Sequence, residues 1–214
     1  KPLKESIGEI EKCAWALEFY ADHGDSFLSD EVLNTDARKS FLSFEPLGVI
    51  GSIMPWNFPY WQALRFAAPC LMAGNVIVMK PSRVTMQSGI EIEKAFMESG
   101  MPDGIFQTVV GSVDSANHLI DSDVNAVTFT GSTNAGAKVG ERAARHLKKC
   151  VLELGGSDPF IVLDDAIIDK AAEGAVKGRF INCGQSCVAS KRFFVGKNIA
   201  KDFIELFIKK ASQL

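Results

Sequence analysis

Short, continuously apolar runs alternate with helical patterns along most of this chain, and that alternation restricts its fold more than any other feature. Val49-Ile50-Gly51-Ser52-Ile53-Met54 ends at Pro55, and Val76-Ile77-Val78-Met79 ends at Lys80-Pro81. Phe106 to Val110, Ala126 to Thr130 and Cys150 to Leu154 follow the same pattern. Runs of this kind are strands buried on both faces, which means a parallel sheet covered by the helices between them. The spacing predicts those helices from Pro59, as an early helical residue, to Gly74, over about Thr85–Ser99, around Ala116–Ile120, and from Gly131 to about Lys148. Upstream, Ile7, Ile10, Ala14, Leu17 and Ala21 recur at helical spacing, with Gly24 as the stop. Ser40 to Phe44 alternates like a short strand. After Gly155-Gly156 the pattern restarts, with a strand over Phe160–Leu163, a helix over Asp169–Phe180, a strand over Cys187–Val195 and a helix over Asn198–Leu214. We therefore expect an α/β chain of two parts, 1–154 and 155–214.

Composition removes several functional classes. The 214 residues are 47% hydrophobic and 23% charged, which is globular rather than disordered. A net charge of −3 gives no footprint for nucleic acid or an anionic membrane. The most apolar region, Phe66 to Met79, is interrupted by Pro69, Gly74 and Asn75 and is too short to span a bilayer. Five scattered cysteines form no disulfide framework, so a reducing, cytoplasmic setting is the default. The three histidines lie far from any cysteine pair, so no metal site is expected. The chain lacks an apolar signal core, begins without Met, and both starts and ends inside helical patterns; we expect a segment of a longer polypeptide, cut at both ends.

Polar residues just after strand ends fall on the carboxyl edge of a parallel sheet, where such sheets bind ligands. Asn57, Lys80, Ser132 and Glu153 hold such positions. Asn57, braced by Pro55 and Pro59, is either an uncharged donor to a developing oxyanion or a helix N-cap. Lys80-Pro81-Ser82-Arg83 offers two cations and a hydroxyl, suited to sugar hydroxyls and a phosphate, or else a solvated turn. Gly131 and Ser132 open a helix after a strand, so backbone N–H groups could face a phosphate; ordinary turn chemistry is the alternative. Glu153, at the end of an apolar strand, is either a desolvated general base or an exposed carboxylate. In Asn182-Cys183-Gly184-Gln185-Ser186-Cys187, Gly184 permits a turn that could carry a thiolate nucleophile. Both cysteines could equally be small buried hydrophobes or a redox pair.

The order of Pro-Trp-Asn-Phe-Pro, Met-Lys-Pro-Ser, Phe-Thr-Gly-Ser, Leu-Glu-Leu-Gly-Gly and Asn-Cys-Gly-Gln-Ser-Cys, across roughly Glu45 to Val195, resembles the NAD(P)-dependent aldehyde dehydrogenase superfamily. The resemblance implies a Rossmann-like coenzyme domain over 1–154 and the start of an α/β catalytic domain over 155–214, an incomplete fold. It implies Cys187, not Cys183, as nucleophile, Glu153 as general base, and an oxyanion hole from Asn57 and the Cys187 backbone N–H. Trp56, Asn57, Lys80, Pro81, Ser82, Arg83, Gly131, Ser132 and Leu154 match cofactor-contacting positions. In NAD-preferring relatives a glutamate commonly occupies the position of Arg83, so the resemblance implies NADP as the preferred cofactor, with NAD possible. Pro59 to Arg65 looks like succinate-semialdehyde dehydrogenases, where an arginine at the position of Arg65 meets the substrate carboxylate; the alternative is a helix-surface cation that pairs with nothing. The implied partners are a small aldehyde and further copies of the full-length chain, as a dimer or tetramer. Glyceraldehyde or another hydroxyaldehyde as substrate, a CoA-acylating relative, and a non-catalytic cofactor-binding homologue are the other readings. The family's Glu-Phe-Gly-Pro motif, which meets the nicotinamide ribose, is absent from these residues.

Overall fold

The structure, a computed structural model, describes residues 1–214. Two compact units make up the chain: Ser6–Leu154, and Gly155–Leu214 together with Lys1–Glu5.

The first unit is built on five parallel strands: β3 (Val49–Ile53), β4 (Val76–Lys80), β5 (Phe106–Thr108), β6 (Ala126–Thr130) and β7 (Lys149–Glu153). Their order across the sheet is β5-β4-β3-β6-β7. The chain winds outward from β3 in one direction, then returns to the other side of it. That reversal beside β3 is the switch point at which open α/β sheets take ligands, outside the strands' carboxyl ends. Successive strand residues face opposite sides, and the core divides accordingly. Ile77 and Met79 join α2 (Trp61–Met72), α3 (Met86–Glu98) and Phe106 in one cluster. Val78, Ile53, Val127 and Phe129 join α4 (Val113–Asp121) and α5 (Thr133–Arg145) in the other. Continuous apolar strands were the sequence signal because both faces are covered in this way.

Several boundaries differ from the sequence reading. Helix α1 (Leu3–Phe27) runs straight through Gly24. A side chain at Gly24 would meet Met72 Sδ at 2.3 Å, so the glycine marks close helix packing and not a stop. The buried face of α1 is Glu9, Cys13, Ala16 and Gly24; Ile7 and Ile10 are exposed. Helix α2 begins at Trp61, so Pro59 lies in the preceding turn and not in the helix. Helix α5 ends at Arg145, before Lys148, because Leu147 takes φ +55° and turns the chain toward β7. The expected strand over Ser40–Phe44 shrinks to β2 (Phe41–Leu42), antiparallel to an unforeseen β1 (Glu31–Val32).

One surface cluster sets a pH dependence. Arg142 Nε donates to Asp121 at 2.7 Å, and His146 Nε2 lies 3.2 Å from the same carboxylate. The Arg142 hydrogen bond, helped by His146, holds the Asp121 carboxyl down at about 2. A carboxyl lowered on folding adds stability that is complete above its unfolded value of about 3.9 and is lost as pH falls through its folded value. Asp121→Asn is therefore expected to lower the melting temperature at pH 7, by a difference that shrinks between about pH 4 and pH 2. Thermal melts across that range check this; a difference that stays constant with pH contradicts it.

The second unit holds β8 (Asp158–Val162), α6 (Ile168–Phe180), β9 (Ser190–Val195) and α7 (Ala200–Ala211). The two strands pair in parallel across the α6 crossover. Phe160, Phe193, Phe203 and Phe207 fill its core with Val162, Ala172 and Ala175. Strand β9 starts at Ser190, so Cys187 sits in the loop before it and not in the strand.

Candidate functional site

Because β3, β4, β6 and β7 are parallel, the residues after their ends fall along one edge of the sheet. Trp56 and Asn57 follow β3; Trp56 is exposed and Asn57 half-buried. The N-cap of α2 is Tyr60, with no side-chain cap, which removes the reading of Asn57 as that helix's cap. The N-terminus of α2 is satisfied from elsewhere. The buried Glu9 carboxylate on α1 accepts from the Tyr60 and Trp61 N–H groups at 2.9 and 2.8 Å. A carboxylate on a helix N-terminus also meets the positive end of its dipole. Lys12 Nζ lies 3.8 Å from the Trp61 ring centre. Glu9 and Lys12 thus fix the turn that carries Asn57. The sequence hinted at neither, because Glu9 reads as an ordinary helix-surface charge.

At the end of β4, Lys80 is only 5% exposed and Pro81 is buried, whereas Arg83 is exposed. The solvated-turn reading therefore holds for Arg83 alone. Burial, and then the Arg83 cation, push the Lys80 ammonium below the ordinary lysine value. A buried ammonium with a second cation beside it makes this edge favourable to an anionic group. Beyond β6, a side chain at Gly131 would meet the Phe129 ring at 2.4 Å, so the backbone is bare where the strand turns into α5. Ser132 is the N-cap of α5, and its hydroxyl accepts from Ala135 N–H at 3.3 Å. Buried and exposed cations, a bare turn and a helix N-terminus on one edge fit a phosphate-bearing dinucleotide. Lys80, Ser82, Arg83, Gly131 and Ser132 line this edge.

Glu153 closes β7 opposite Thr130, and its carbonyl accepts from Gly131 N–H at 3.0 Å. Its side chain is 56% exposed, so the desolvation expected at an apolar strand's end is absent. It is not without company: Arg65 Nη2 lies 3.3 Å from Glu153 Oε2. This contact overturns the alternative that Arg65 pairs with nothing. Leu154 packs over Gly136 of α5, with its side chain turned into the core cluster on that face.

In the second unit, Asn182, Cys183 and Gly184 take φ values of +54°, +56° and +76°. For a residue other than glycine this conformation costs about 1–2 kcal/mol, so the turn needs external support. Asn182 N–H donates to the Glu5 carboxylate at 3.0 Å, and Arg179 Nη1 donates to the Gly184 carbonyl at 3.2 Å. Lys191 Nζ donates to the Cys187 carbonyl at 2.7 Å and to that of Ser186 at 3.3 Å. Cys183 is exposed and Cys187 half-buried. Only Gly184 signalled this turn in the sequence; Glu5, Arg179 and Lys191, which hold it, carried no recognisable motif. The other cysteines are in the first unit. Burial pushes the Cys70 thiol up to about 12 and raises that of Cys150, which removes both from thiolate chemistry near neutral pH. All five cysteines are free, and no group of three or more His, Cys, Asp and Glu side chains gathers to hold a metal ion. No helix is long and apolar enough to cross a membrane.

Residues 1–214 match the aldehyde dehydrogenase family. The chain is 48% identical over 210 residues to a probable NADP(+) succinate-semialdehyde dehydrogenase of Synechocystis, covering 98% of this chain and 46% of that protein. It is 42% identical over 215 residues to the NAD(P)+ succinate semialdehyde dehydrogenase Sad of Escherichia coli, covering all of this chain and 46% of that one. Among solved structures, succinic semialdehyde dehydrogenase from Streptococcus pyogenes in complex with NADP+ superposes with a TM-score of 0.91 at 38% identity, over 94% of this chain and 45% of that one. The chain spans about half the length of the curated relatives it matches.

Proposed function

The chain belongs to the aldehyde dehydrogenase family, and from that premise we propose that it carries the coenzyme-binding part (1–154) and the beginning of the catalytic part (155–214) of an NADP-preferring succinate-semialdehyde dehydrogenase. The observation that supports this most is the single sheet edge along which Asn57, Lys80, Arg83, Gly131, Ser132 and Glu153 are set out beside the switch point. Relatives named for succinate semialdehyde at 42–48% identity support the choice of substrate.

In this reading the Cys187 thiolate adds to the aldehyde carbon, and the Asn57 amide with the Cys187 backbone N–H donates to the resulting oxyanion. The chemistry a nicotinamide dinucleotide supplies when bound is acceptance of hydride. Once the carbon is oxidised, Cys187 carries a thioester. Glu153 then takes a proton from water as it adds to that carbonyl, the C–S bond breaks, and the acid leaves. Arg65 receives the substrate's distal carboxylate through its guanidinium fork. Trp56 adds an exposed ring to the cofactor surface, and Pro81 and Leu154, whose side chains pack inward, contribute backbone only. A cytoplasmic homo-oligomer belongs to the same reading, supported by five free cysteines and by the family.

The test is a panel of small aldehydes, acidic, hydroxylated and neutral, against NADP and NAD, with free acid separated from acyl-CoA among the products. The expected result is highest kcat/KM for the acidic aldehyde with NADP, and free acid as product. Preference for glyceraldehyde, or an acyl-CoA product, would contradict it. Arg83→Glu is expected to raise KM for NADP by about 10- to 100-fold, the worth of charge-assisted contacts to a phosphate, and to spare NAD. Equal losses with both cofactors would contradict the role of Arg83.

A further inference from the structure

We infer that the Arg65–Glu153 ion pair is a latch opened by the substrate's own carboxylate, so that an acidic aldehyde switches on hydrolysis of its own acyl-enzyme. This rests on the reading of Arg65 as the carboxylate receiver and Glu153 as the base. The geometry behind it is direct. Arg65, in α2, and Glu153, at the end of β7, meet at 3.3 Å, and neither makes a second ion pair. The two roles compete. A carboxylate oxygen engaged by a guanidinium is not free to take a proton from water, and a guanidinium engaged by Glu153 is not free for substrate.

The same competition resolves the conflict. The arginine fork accepts a carboxylate best through two oxygens; Glu153 meets it through Oε2 alone, whereas an incoming substrate carboxylate can offer both. With side chains 34% and 56% exposed, the resting pair is weak enough to exchange. Capture of Arg65 by substrate releases Glu153 in the complex that needs it. Water then adds to the thioester carbonyl carbon and gives its proton to Glu153. The C–S electron pair returns to Cys187 Sγ, and the dicarboxylic acid departs. A neutral aldehyde leaves the pair closed and deacylates slowly. The device is a specificity filter acting on hydrolysis, in addition to any effect on binding.

The test uses the full-length chain, with deacylation measured by rapid quench as loss of the acyl group from the enzyme. Propanal is the neutral substrate, and propionate is added in trans as a free carboxylate, with chloride as the ionic-strength control. Propionate is expected to speed deacylation of the wild-type propionyl-enzyme by about two- to five-fold, the range an ion pair of this exposure commands. Arg65→Gln is expected to show that faster rate without propionate, to gain nothing from it, and to raise KM for succinate semialdehyde. If the KM rises but neither propionate nor the substitution speeds deacylation, the latch is wrong and the substrate reading stands. If the KM for the acidic aldehyde does not change, the reading of Arg65 fails and the latch with it. The propionate experiment on wild-type protein decides the matter even if the variant folds poorly, since propionate that only inhibits, or does nothing, overturns the latch.

Discussion

Cys187→Ser is expected to abolish aldehyde-dependent reduction of NADP, by about 10⁴-fold or more in kcat, because a neutral hydroxyl replaces the thiolate proposed to form the covalent adduct. An aldehyde has no hydride to give until an adduct turns its carbonyl carbon tetrahedral, so the oxidation fails with the attack. Cys183→Ser separates this from a required thiol pair. Cys183 is exposed and lies in the left-handed stretch before Gly184, whereas Cys187 follows the turn in a segment anchored through its carbonyl by Lys191. Retained turnover in Cys183→Ser, with loss in Cys187→Ser, is the expected pair of results. Loss in both would indicate that the two sulfurs act together. Cys70 and Cys150 do not substitute for Cys187, since burial keeps both protonated.

The second large effect is at Glu153. Glu153→Gln keeps the size of the side chain and removes its capacity to accept a proton from water. Acylation of Cys187 and the first equivalent of NADPH are expected to survive. Steady-state turnover is expected to fall about 10²- to 10⁴-fold, the usual worth of a positioned base. Stopped-flow absorbance shows this as a burst of one NADPH per site followed by a slow phase. Unchanged turnover would remove Glu153 from the chemistry. The substitution also breaks the charged contact with Arg65, so it is best read beside Arg65→Gln, as neighbouring residues are not additive.

How much of this was legible before the structure follows from where each signal lives. Parallel strands buried on both faces write themselves into the chain as uninterrupted apolar runs, and β3, β4, β6 and β7 end within a residue or so of their predicted ends. The residues just beyond those ends came with them. Helix limits were less visible, because tertiary contacts override local signals. Gly24 reads as a stop until Met72 is seen against it, and Leu147 takes a positive φ that no sequence rule assigns to leucine. The two-residue strands β1 and β2 lack the length to show a period. Least legible were pairings between residues far apart in the chain. Glu9 on the Tyr60 and Trp61 amides, Glu5 on Asn182, and Arg65 on Glu153 are charges whose partners only folding supplies. In the last case the partner changes the meaning of both residues.

Every proposed step after the first requires Cys187 to carry the acyl group. Full-length Glu153→Gln protein, given one equivalent of succinate semialdehyde with NADP, acid-quenched and digested, answers this by peptide mass spectrometry. A succinyl group is expected in near-stoichiometric amount on the peptide bearing Cys187, assigned by fragmentation to that sulfur. An acyl group on Cys183, or NADPH formed with Cys187 unmodified, would contradict it.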